Sequence, residues 1–77
     1  MADERGRTES ALDDAVRMGP LRVLGRRNRI RRLYFQLRAD GVPRRRAKTI
    51  ARRLRKAIPG VRREPKARAT ALDLILQ

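Results

Sequence analysis

One cationic amphipathic segment, residues 43–58, most constrains what this chain can fold into. At about 100° per residue, Ala47, Ile50, Ala51, Leu54, Ala57 and Ile58 fall on one apolar stripe, while Arg45, Lys48, Arg52, Arg55 and Lys56 gather on the opposite side. A helix of this kind must bury its stripe against other elements and leave its charges in water. Pro43 suits the first turn, where its missing N–H would have no partner in any case. Pro59 and Gly60 are expected to end the helix.

The charge around this helix is large and unevenly placed. Of the net +14, residues 20–63 hold 17 Lys or Arg against the single acid Asp40, a net of +16, while residues 1–19 carry −2 and residues 64–77 are neutral. Such a block repels itself when compact, and a polyanion would relieve the repulsion while supplying affinity. Arginine outnumbers lysine 19 to 3, which suits bidentate contacts to phosphate or guanine, and which a GC-rich coding bias would equally produce.

With 77 residues there is room for one small domain, and chains of this size bury a small share of their surface. Cys and His are absent, so disulfides, thiol chemistry and the usual zinc ligands are excluded. The eight carboxylates, five of them in the first 14 residues, form no acid–base constellation, and no glycine loop could cradle a phosphate. Neither an enzyme nor a cofactor or metal site is expected. No apolar run approaches the roughly 18 residues of a membrane span, and no signal pattern opens the chain. The expectation is a cytoplasmic protein, nucleoid-associated if bacterial, without a membrane partner.

Taken in order, residues 1–7 lack periodicity and are expected to be a disordered arm, with residues 8–77 forming a single helical domain. A short helix follows, with Thr8 or Ser10 as N-cap, Leu12, Ala15 and Val16 on its thin apolar face, and Gly19 as a stop. Its acids Glu9, Asp13 and Asp14 read as N-terminal capping charge, or else lie against the basic block. Gly25 and the run from Arg26 to Arg32 argue for a break, with the next helix starting at Asn28 and running to Ala39 over Ile30, Leu33, Tyr34 and Leu37. One continuous helix from Pro20 is the alternative. Phe35 lies about 140° from Ile30 and cannot share that stripe. It is expected under the C-terminal segment or a second subunit, or else as an exposed ring among arginines where a base could stack.

The connection from Ala39 to Pro43 is the best-specified local feature. Gly41 can take a left-handed C′ position, Val42 can then touch Leu37 as in a Schellman ending, and Pro43 begins the next helix. Residues 28–58 thus form a helix, a tight turn and a helix, a unit that resembles the helix-turn-helix modules of DNA-binding proteins. In a second register, residues 43–58 would be the positioning helix and the helix after Pro65 the reader, but that later helix offers DNA only Lys66 and Arg68. The last helix, residues 65–77, is apolar almost all round at its end. Either that end is buried in the chain's own core, or Leu72, Leu74, Ile75 and Leu76 form an oligomer interface, and of the two the interface of a homodimer is the expectation.

The fold expected is all-α, a small bundle of three to four short helices containing the helix-turn-helix-like hairpin. The function expected is nucleic-acid binding, as a regulator of transcription with duplex DNA favoured over RNA. Its contact residues would be Arg26, Arg27, Arg29, Arg32, Arg44, Arg45, Lys48, Arg52, Arg55 and Lys56. The alternatives are an arginine-rich RNA-binding protein of ribosome-associated or antitermination type, and a phage or plasmid adaptor that sets its basic face on an acidic host protein such as RNA polymerase.

Overall fold

The computed structural model describes residues 3–17 and 23–77, and the side chains of residues 3–17 and 28–77. Among the described residues there are four α-helices and no strand: α1 (Glu4–Arg17), α2 (Val23–Ala39), α3 (Arg44–Arg63) and α4 (Arg68–Leu76), with a 3₁₀ turn over Pro65–Ala67 leading into α4. The fold is a small all-α bundle.

The apolar stripe of α3 is the middle of the core. Ala47, Ile50, Leu54, Ile58 and Val61, spaced by threes and fours, are all buried. Against them pack Leu33 and Leu37 of α2, Ala11, Leu12 and Ala15 of α1, and Ile75 of α4. Helix α3 touches every other helix, and so does α1, whereas α2 and α4 do not touch each other. Three sides of α3 are therefore covered and the fourth, its cationic side, faces water.

The chain ordering begins earlier than the composition suggests. Residues 4–7 of the expected arm are helical, because Asp3 accepts the Gly6 N–H at 2.7 Å and so caps α1 at its N3 position. Neither Thr8 nor Ser10 is the cap: Thr8 is fully buried one turn into the helix, its hydroxyl donating to the Glu4 carbonyl at 2.7 Å. The expected stop at Gly19, together with residues 18–22, lies outside the described residues. Helix α2 runs through Gly25 and Asn28 from Val23, close to the continuous alternative. One glycine costs a helix only about 1 kcal/mol, and here that is too little to break it.

The turn after α2 is the Schellman ending expected from sequence. Gly41 adopts φ +93°, Val42 N–H donates to the Leu37 carbonyl at 2.9 Å, and Gly41 N–H donates to the Arg38 carbonyl at 3.1 Å. Val42 packs on the core, and Pro43, extended at ψ 146°, takes the N-cap position of α3.

Pro59 and Gly60 do not end α3, which continues through both to Arg63. Pro59 lies on the exposed side, so the Arg55 carbonyl loses its helical partner where water can replace it, and Ile58 and Val61 gain burial by continuing the turn. The stop comes from Pro65, which disfavours helical geometry in the residue before it: Glu64 sits at φ −137°, ψ 85°. In α4, Leu72 and Ile75 are 1% and 2% exposed and belong to the chain's own core, so they are not available to an oligomer. Leu76 is half-buried against that core, and Leu74 alone of the four is exposed, at 59%. A nine-residue helix with one face on α3 buries the residues three apart and leaves the one opposite them to solvent.

Candidate nucleic-acid interface

The arginines divide by whether a carboxylate or a helix terminus already satisfies them. On α1, Arg7 makes a two-armed contact to Asp40, at 2.8 and 3.3 Å, which ties the first helix to the α2–α3 turn. Arg68 of α4 does the same to Asp13, at 2.6 and 2.9 Å, and lies 3.4 Å from Glu9. These hydrogen bonds hold the Asp13 and Asp40 carboxyls below the usual carboxylate range and keep Arg7 and Arg68 more firmly charged than usual. Arg5 pairs with Asp73 at 3.0 Å, and Arg29 approaches Asp14 at 3.7 Å. The acids of α1 thus do more than complement its own dipole: they receive arginines from α2, α3 and α4.

Two arginines of α3 serve structure in a different way. Arg46 donates to Glu4 at 2.9 Å and to the carbonyls of Leu76 and Gln77, while Arg53, seven residues on, donates to the carbonyls of Ile75 and Gln77 at 3.3 and 2.9 Å. Both guanidinia cap the C-terminal end of α4, where a helix presents unpaired carbonyls and the negative end of its dipole. They flank the apolar stripe on the α4 side, and sequence spacing alone gave no sign of which neighbour they would meet.

What remains is the outer side of α3. Arg44, Arg45, Lys48, Arg52, Arg55 and Lys56 are all exposed, and none has a side-chain hydrogen bond or ion pair among the described residues. Because the helix continues past Pro59, Arg63 extends the same face, seven residues and so about two turns beyond Lys56; this cation was hidden by the expected stop. The first turn of α3 holds Arg44, Arg45 and Arg46 and no acid, opposite to what the helix dipole favours. An anion at that end would relieve both the dipole and the mutual repulsion.

The α2 arginines are not all where the sequence reading put them. Arg29, Arg32 and Gln36 line a small cleft against α1 with Arg7, Ser10 and Asp14, turned away from α3. The α2 cation beside α3 is instead Arg31, which shares an open groove with Ile30, Tyr34, Phe35, Lys48 and Ala51. A helical wheel separates these two flanks of α2 but cannot say which one α3 adjoins. The side chains of Arg26 and Arg27 lie outside the described residues. Phe35 is 56% exposed and is not covered by the C-terminal segment, since α4 never reaches α2.

The described residues thus form a bundle of four α-helices with a cationic outer helix. No protein-family model, curated protein or solved structure matches the chain. Among the described residues, no helix is long and apolar enough to cross a membrane.

Proposed function

We propose that this chain is a small nucleic-acid-binding protein, a helix-turn-helix-like DNA-binding regulator of transcription that sets the outer face of α3 against a duplex. The observation that carries the reading is the segregation of charge: six carboxylates pair with Arg5, Arg7, Arg29, Arg46 and Arg68, and the six cations from Arg44 to Lys56 on the α3 face have no partner among the described residues. A row of unpaired, exposed cations on one rigid helix is an electrostatic footprint for phosphates, and arginines among them can reach guanine edges in a major groove. Helix α3, at 20 residues about 30 Å long, is held by the α2 turn at one end and by α1 and α4 along its sides.

The same distribution favours α3 over α4 as the contact helix. Arg68, one of the two cations available after Pro65, is engaged with Asp13 and Glu9. RNA is the second reading, and the exposure of Phe35 next to Arg31 favours it, because unpaired bases stack on aromatic rings. Competition between duplex DNA and a hairpin RNA of equal charge, at one fixed salt concentration, decides between them. The DNA reading expects the duplex to displace the hairpin. Displacement in the other direction assigns the face to RNA, and binding of neither rejects the function.

A further inference from the structure

The groove between α2 and α3 lies at the edge of the cationic face, and of its lining the duplex reading uses only Lys48. Its lining is two cations, Arg31 and Lys48, two aromatics, Tyr34 and Phe35, and two small or aliphatic residues, Ile30 and Ala51. Phe35 presents 56% of its surface to solvent. Its orientation is set by Tyr34, whose ring meets it edge-on, with centroids 5.2 Å apart and planes at 76°. Arg31 precedes Phe35 by one helical turn and shares its side of α2. Across the groove, Lys48 and Arg55 flank Ala51, whose single methyl leaves the space open.

We infer that this groove receives one unpaired base of a nucleic-acid strand, which stacks on Phe35 while Arg31 and Lys48 hold the adjoining phosphates. Cations that track a backbone, beside an aromatic face that accepts any base, are the two parts from which single-strand sites are built. The lining contains no carboxylate, so the groove is complementary to an anion. A second copy of the chain is disfavoured as occupant by its own net +14. The inference rests on the nucleic-acid reading and sharpens it: the preferred ligand is a duplex that ends or opens into unpaired nucleotides, with the duplex on α3 and the first free base between α2 and α3.

The test compares three DNA ligands at one salt concentration: a blunt duplex, the same duplex with a short thymidine tail, and the duplex with an abasic tail of equal length and charge. The inference expects the thymidine tail to be bound on the order of tenfold more tightly than the abasic tail, the scale of one base stacked on an aromatic ring. Phe35→Leu should abolish that difference while leaving affinity for the blunt duplex unchanged. Phe35→Trp should keep the difference, and the fluorescence of this sole tryptophan should be quenched by the thymidine tail and not by the abasic one. Circular dichroism of both variants checks that so exposed a position has left the helices intact. Equal affinity for the two tails in the parent protein, or a difference that survives Phe35→Leu, overturns the inference and leaves duplex binding standing. Failure to bind any of the three at low salt removes the parent reading and this one together.

Discussion

Arg46 and Arg45 are neighbours with opposite employment, and the difference lies in about 100° of helix rotation. Arg46 turns toward α4 and Glu4, where it closes a helix end and an ion pair; Arg45 turns to water and its side chain pairs with none of the described residues. Arg68 is the third kind, held by two acids of α1 at once. Its pairing makes acid sensitivity a residue-scale prediction. Asp13 and Asp40 are depressed below their ordinary range chiefly by hydrogen bonds from Arg68 and Arg7. A carboxyl depressed on folding stabilises the fold above its unfolded pKa of about 3.9, and that contribution is lost as pH falls through the lower folded value. Thermal melting of the parent should therefore fall as pH drops below about 4. Asp13→Asn should lower the melting temperature near neutrality and flatten the acid decline, and identical acid profiles for the two proteins would mean that the Arg68 contact is not formed. Arg5→Ala, which removes only an exposed pair, should shift stability by less than about 1 kcal/mol. The sequence displayed which residues were charged and which side of α3 each occupied. It did not display their partners, because those depend on how α1 and α4 lie across α3, and no local rule specifies that.

At the scale of the element, α3 and its preceding turn carry most of what was legible. The stripe through Ala47, Ile50 and Leu54 and the left-handed Gly41 were readable because each is a local requirement with few solutions. The helix end was misread at Pro59 because intrinsic propensity was weighed without the burial that Val61 gains by going on. The start of α1 was missed for a similar reason, since Asp3 is a plain N-cap whose helix becomes visible only with Glu4 and Arg7 docked on α3 and the turn. Leu54→Ala or Leu37→Ala should cost roughly 2–5 kcal/mol, measured by denaturant melts. Gly41→Ala should cost about 1–2 kcal/mol through its positive φ alone, as open space surrounds the position. Pro59→Ala should raise stability, by up to about 3 kcal/mol, because it restores a helical N–H in an exposed position. A loss of stability there would instead place a chain break at residue 59. Leu74→Glu should leave the melting temperature close to that of the parent, in contrast to Leu72→Ala. Should the parent protein have the mass of a dimer, Leu74 is the α4 residue through which the variant would dissociate it.

The whole molecule separates two populations of charge. One, between α1 and its neighbours, is internally compensated; the other, along the outside of α3, has no carboxylate partner among the described residues. Net charge was readable from composition, but only the fold shows that the compensation is one-sided and that Arg31, not Arg29 or Arg32, adjoins the α3 face. The salt dependence of duplex binding, in the parent and in the Arg52→Ala, Arg55→Ala double variant, tests the role of that face most directly. If about six phosphates are neutralised, log affinity should fall with log salt at a slope near −5 in the parent. The double variant should bind more weakly, with the slope reduced in magnitude by about 2 and the fold unaltered, since neither side chain belongs to the core. Parent affinity and parent slope in the double variant would contradict the account.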